Sequence, residues 1–186
     1  MKKKFLIPVL FLWITAAAVF PGDNRNAVLY TGYFGEMAVH PGGVLGGGIE
    51  VLHRDRYSMW GETSVFTYIH PENHFGLGCR ADWAHRLTGR KGFFGEAGLG
   101  LGYFHTWSDG EVYTRRDDGG AAVGKNTGWP HLYTGLFIGT GWNFKKPAGA
   151  PVTPYLRAHC FFEYPFNGFL LPHLAAEMGL RVRIKR

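Results

Sequence analysis

Residues 74–86 read His74-Phe75-Gly76-Leu77-Gly78-Cys79-Arg80-Ala81-Asp82-Trp83-Ala84-His85-Arg86. Side chains of an extended strand point alternately to opposite faces. One face of this stretch holds Phe75, Leu77, Cys79, Ala81 and Trp83. The other holds His74, Gly76, Gly78, Arg80, Asp82 and Arg86. A strand with one large apolar face and one face of glycine and charge is the unit from which the rest of the chain is read.

The same alternation recurs. Phe93, Ala97, Leu99, Leu101 and Tyr103 oppose Glu96, Gly98, Gly100 and Gly102. Leu156, Ala158, Cys160 and Phe162 oppose Arg157, His159 and Glu163. Leu174, Ala176, Met178, Leu180, Val182 and Ile184 oppose His173, Glu177, Arg181 and Arg183. Glycine-, proline- and charge-rich breaks divide residues 21–186 into eight predicted strands, near 28–40, 44–54, 57–69, 74–86, 93–107, 131–144, 152–164 and 171–184. Most exceed the usual ~5–6 residues and match the ~9–11 that a tilted strand needs to cross a bilayer. In the first three strands and the sixth, aromatics fall on both faces.

Composition agrees. The chain has 186 residues, 28 of them glycine, with 18% charged and 46% hydrophobic. Each interior glycine costs a helix about 1 kcal/mol, so a mainly helical fold is excluded. The chain is too apolar for disorder. The length predicts one domain. The formal charge of +6 is concentrated at the start. Lys2, Lys3 and Lys4, the apolar run Phe5 to Val19, Ala16-Ala17-Ala18 and the turn Pro21-Gly22-Asp23-Asn24 have the layout of a secretory signal peptide over residues 1–20. Its removal lowers +6 to +3. No Lys/Arg stripe is left for nucleic acid.

Two closed all-β architectures accommodate eight such strands. A soluble barrel turns its apolar face inward. A membrane barrel turns it outward to lipid and fills the interior with polar groups. The glycine-loaded polar face suits a narrow interior. Its charges are mixed in sign and sit mid-strand. Tyr57, Trp83, Phe93, Trp142 and Phe144 cluster at one end of the apolar face and Tyr103, Trp107, Phe162 and Tyr164 at the other, as an aromatic girdle requires. The expectation is an eight-stranded antiparallel up-and-down transmembrane β-barrel. An even strand count puts both termini on one side, the periplasm. The connections Pro41–Gly43, Pro71–Asn73, Ser108–Pro130 and Pro165–Phe169 then face outward, the longest among them. The opposite turns carry Arg54, Arg56, Arg90, Lys91, Lys145 and Lys146.

The pattern resembles the small eight-stranded outer-membrane barrels: the OmpA transmembrane domain, OmpX and OmpW. Glu177-Met178-Gly179-Leu180-Arg181-Val182-Arg183-Ile184 resembles the C-terminal signal read by the outer-membrane assembly machinery, with Glu177, Gly179, Val182 and Ile184 at the matching positions. Those proteins usually end on an aromatic, whereas Lys185 and Arg186 follow here. The resemblance implies a bacterial outer-membrane location, with lipids and the assembly machinery as partners and no cofactor.

By parity the interior receives Glu36, Glu50, Glu62, Arg80, Asp82, Glu96, Arg157, His159, Glu163, Glu177 and Arg181. Buried charges must be paired, so these are expected to form an ion-paired plug. The alternatives are a narrow or gated channel through the network, and a lipid-modifying enzyme. The enzyme reading lacks the His-x-Ser arrangement of the outer-membrane deacylases: the nearest match is His159-Cys160-Phe161, and His105 with Ser108 is a weak pair. His40, His70, His74, His131 and His173 share inward parity at the outer strand ends. They are a candidate metal-binding or pH-sensing rim, with His70 and His74 as its expected closest pair. Cys79 and Cys160 face outward on non-neighbouring strands, too far apart for a disulfide. In the long loop, Asp117-Asp118-Gly119-Gly120 predicts a turn, with Val112–Arg115 and Ala121–Val123 extending the fifth and sixth strands as a hairpin. Loop 108–130 offers a surface for a ligand or host partner.

Overall fold

The computed structural model describes residues 26–144, 151–166 and 169–184. The signal segment 1–20, Lys145 and Lys146 in their turn, and Lys185 and Arg186 lie outside the described residues. The strands are β1 (Ala27–Glu36), β2 (Gly42–Arg54), β3 (Tyr57–His70), β4 (His74–Thr88), β5 (Phe93–Ser108), β6 (Val112–Arg115), β7 (Ala121–Gly124), β8 (Trp129–Trp142), β9 (Val152–Phe166) and β10 (Phe169–Ile184). Eight of them close a barrel in the order β1-β10-β9-β8-β5-β4-β3-β2, and every ladder is antiparallel. β6 and β7 pair only with each other.

The faces are inverted relative to a water-soluble barrel. Leu99 is 68% exposed on the outside, and Leu45, Leu101, Ile138 and Leu174 are exposed with it, while Arg157 is 1% exposed inside. A soluble monomer rarely exposes an apolar patch larger than a few hundred Å². Trp83, Phe93, Trp142, Tyr103 and Tyr164 are exposed on that outer surface.

The barrel closes where β1 meets β10. Gly32 pairs with Gly179 across this seam. A Cβ on Gly32 would sit 2.2 Å from the Met178 carbonyl oxygen, and one on Gly179 2.2 Å from that of Thr31. The seam therefore admits no side chain at either position.

Two sequence expectations are corrected. β1 ends at Glu36 rather than at 40, because Met37 and Ala38 take positive φ (50° and 62°) and turn the chain there. Val112–Arg115 and Ala121–Gly124 do not extend the barrel strands. Gly110 (φ 106°) and Gly128 (φ 68°) break the chain on either side, so β5 pairs directly with β8 and the hairpin stands as its own two-stranded sheet.

Candidate functional site

The interior is layered between the end that holds the termini and the end that holds the β6–β7 hairpin. At the termini end a cavity of about 370 Å³ is lined by Asn26, Glu50, His53, Trp60, Arg86 and Arg181, among others. Glu50 accepts from Asn26 and meets His53 at 2.8 Å. It does not join the arginines.

Next comes a layer of charge. Arg157 spans β3 and β5, with Nη2 2.7 Å from Glu62 and Nε donating to Glu96 at 2.7 Å. The Glu62 contact is an ion pair without hydrogen-bond alignment. Arg181 reaches Glu96 at 3.0 Å, and Arg86 donates to it at 2.8 Å. Beside them Arg80 donates to Asp82 at 2.9 Å and to Glu177. Tyr155 donates to Glu177 at 2.8 Å, and His159 lies 3.1 Å from it. Four arginines thus face four carboxylates, and charge balances within the layer. Rings separate the guanidinium groups: Arg157 lies over Phe137 at 4.2 Å, Arg181 over Tyr155 at 4.4 Å and Arg86 over Phe94 at 4.4 Å. Such contacts reach about 2 kcal/mol when desolvated.

The structure divides the eleven predicted interior residues. Glu62, Arg80, Asp82, Glu96, Arg157, His159, Glu177 and Arg181 come together. Glu36, Glu50 and Glu163 pair with histidines near the two ends. Arg86 belongs to the network and is absent from that prediction, although parity places it on the polar face of β4.

An aromatic layer follows toward the hairpin end. Phe34, Phe66, Tyr68, Phe104, Tyr133 and Phe161 are at most 1% exposed. Phe34 meets Phe66 at 4.8 Å between centroids, and Tyr133 meets Phe161 at 4.9 Å. Inward glycines make room for rings of this layer and of the layer below: a Cβ on Gly78 would lie 2.4 Å from the Phe66 ring, and one on Gly98 2.5 Å from that of Phe137. Gly139 does the same for Arg157. The ring layer is the largest feature missing from the sequence-based interior.

At the hairpin end a second cavity, of about 510 Å³, is lined by Glu36, His70, His74, His131, Glu163 and His173, with others. His173 Nδ1 lies 3.1 Å from Glu36 and its Nε2 3.1 Å from Glu163. His131 lies 2.9 Å from both Glu163 and the Pro165 carbonyl oxygen. His40 contacts Glu36, and its ring stacks on His70 at 3.7 Å. His74 lies 3.1 Å from the Tyr68 hydroxyl. The closest histidine pair is therefore His40 with His70. His70 and His74 are 5.4 Å apart by centroid. The turn at Met37 and Ala38 carries His40 back over Glu36, which the continuous strand expected from the sequence would not do.

No protein-family model matches the chain, and no curated protein sequence does. Solved structures do. The chain is similar to Neisserial surface protein A, at 10% identity over 87% of this chain and 97% of that one, with a TM-score of 0.52. It is also similar to the N-terminal β-barrel domain of Pseudomonas aeruginosa OprF, at 13% identity over 88% of this chain and all of that one (100%), with a TM-score of 0.50. The fold is that of the small outer-membrane β-barrels. At these identities the likeness concerns the path of the chain, and the interior just described is this sequence's own.

Proposed function

We propose that the chain is an integral protein of the bacterial outer membrane whose barrel is plugged. It serves as a structural element and as a platform for surface contact, and it neither conducts solutes nor catalyses a reaction. One observation carries this reading: the two cavities are separated by a filled middle. Arg157, Arg181, Glu177, Tyr30, Phe34, Phe66, Phe104 and Phe161 are each at most 1% exposed. An eight-stranded barrel is just wide enough for side chains to fill. Opening a path would break ion pairs in a desolvated interior, and losing one partner of such a pair costs about 3–5 kcal/mol.

Planar-bilayer recording of the detergent-extracted protein, delivered by fusion of reconstituted lipid vesicles, tests this, with insertion checked by protease protection in the same vesicles. Silence is expected. Discrete conductance steps would establish the channel alternative. Lipid analysis of those vesicles addresses catalysis, and no deacylated or acylated product is expected. His105, the base a rim nucleophile would need, already meets the Tyr103 hydroxyl at 2.7 Å and the Thr127 carbonyl oxygen at 3.0 Å.

Within this reading, residues 1–20 are cleaved on export, which N-terminal sequencing of the mature protein checks. The assembly machinery reads 177–184. Surface contact falls to the β6–β7 hairpin, where the cross-strand pair Tyr113 and Val123 is exposed. Replacing 111–124 by a Gly-Ser linker should leave the barrel intact and reduce attachment of expressing cells to host or phage surfaces. Unchanged attachment would remove the hairpin from this role.

A further inference from the structure

We propose that the edge of the cavity at the hairpin end, where Glu36 and His70 line it and His40 lies beside them, is a site for a transition-metal dication of the imidazole-preferring kind, such as zinc or copper(II), with Glu36, His40 and His70 as ligands. One carboxylate oxygen and one nitrogen from each imidazole lie within 4.8 Å of one another. Both Nδ1 atoms approach the same oxygen, Glu36 Oε2: His40 contacts it and His70 lies 4.0 Å away. In a tetrahedral zinc site with bonds of ~2.0–2.2 Å, neighbouring ligand atoms lie roughly 3.4 Å apart. Closing the widest gap takes a shift of little more than about 1 Å at the half-exposed ends of two side chains, within rotamer adjustment.

The local chain builds this arrangement. Met37 and Ala38 both adopt positive φ, a conformation uncommon for residues with a Cβ. Such backbone is found where surrounding structure over-determines it, often at ligand sites. Here it folds His40 back onto Glu36, while His70, the last residue of β3, arrives from the neighbouring hairpin loop. The two imidazoles stack at 3.7 Å, with 21° between their planes. One carboxylate oxygen is a poor acceptor for two stacked donors. A single cation takes the oxygen and both nitrogens together once one ring turns out of the stack, because near-parallel rings cannot both aim an in-plane lone pair at one point.

The donor set selects the metal. Two imidazoles with one carboxylate suit zinc, copper or nickel, whereas calcium and magnesium require oxygen ligands throughout. Outer partners are in place as well. Glu36 Oε1 meets His173 at 3.1 Å, and His173 is held from its other nitrogen by Glu163 at 3.1 Å. Ligating carboxylates are ordinarily hydrogen-bonded in this way, and loss of such a partner costs 10–100-fold in affinity. His40 and His70 side chains are 18% and 32% exposed, so the site is reachable from outside.

The test uses untagged protein in detergent, titrated with zinc chloride by calorimetry. One saturable site is expected. His40→Ala and His70→Ala should each weaken it at least tenfold, and the pair together at least a hundredfold. His173→Phe, which removes the contacts to Glu36 and Glu163 and keeps a ring against Phe161, should cost 10–100-fold. Far-ultraviolet circular dichroism checks that each variant remains folded. Absence of saturable binding overturns the proposal. So does binding that the double variant retains, since other histidines would then be responsible. Cobalt(II) gives a measurement independent of any variant. X-ray absorption should report two imidazoles and one carboxylate, and a shell of oxygen alone would overturn the assignment.

Discussion

Phe161 and His173 lie directly opposite each other on β9 and β10, with ring centroids 4.8 Å apart and planes 8° from parallel. The floor of the cavity at the hairpin end is thus the roof of the aromatic layer. Phe161→Ala should destabilise the barrel by about 3–5 kcal/mol, the usual cost of removing a buried ring. It should also weaken zinc binding, because His173 loses the surface that sets its plane. A urea midpoint in detergent reads the first effect and calorimetry the second. An unshifted midpoint would show that neighbouring rings collapse into the gap.

Arg157 binds two carboxylates on different strands: its loss leaves Glu62 with arginines no nearer than 3.6 Å, while Glu96 keeps Arg86 and Arg181. Arg157→Ala should lower the urea midpoint by the equivalent of about 3–5 kcal/mol. Adding Glu62→Gln should recover part of that loss, because one orphaned charge disappears with its partner. A double variant as unstable as the sum of the two singles would mean that the network is not coupled in this way.

Gly179 sits within the stretch that resembles an assembly signal, and it also faces Gly32 across the seam. The two roles separate experimentally. If backbone contact at the seam is what requires glycine, Gly32→Val should block barrel closure as fully as Gly179→Val, although Gly32 lies far from the C-terminal segment in sequence. Heat-dependent electrophoretic mobility of the refolded chains reports closure. A folded Gly32→Val beside an unfolded Gly179→Val would assign Gly179 to recognition.

Leu99 faces outward midway along β5, between Trp83 on β4 and Leu136 on β8. Leu99→Arg should cost about 2–4 kcal/mol in lipid vesicles, as expected for a cation at the bilayer midplane. Tyr113→Arg, on the detached hairpin, should cost almost nothing. Equal effects at the two positions would contradict the assignment of the outer face to lipid.

Legibility in the sequence followed the chemistry of the two faces. In β4, β5 and β10, glycine and charge alternate with large apolar residues, so parity assigned the faces and the strand ends nearly coincide with those observed. The ring layer escaped because lipid and a packed interior both accept aromatics: Tyr30 and Phe34 point in while Tyr33 points out, and nothing in their types distinguishes them. Arg86 escaped as a residue near a strand end beside a basic turn. The turn after Glu36 escaped because Met37 and Ala38 carry no turn chemistry, while Pro41-Gly42-Gly43 nearby does. The interior charges were legible as a set. Their partition between an arginine layer and two histidine-lined ends was not, since it depends on strand stagger and on that turn.

The detached β6–β7 ladder has a further consequence. Its four-residue strands share no hydrogen-bonded partner with the barrel, and glycines at 110 and 128 mark where the path leaves and returns. β5 and β8 pair directly beneath it and keep the ring of eight continuous. Segments can therefore be lengthened, exchanged or grafted at Gly119 and Gly120 without the circle of eight registering the change. Diversification of the hairpin and preservation of what holds the wall together fall on separate residues.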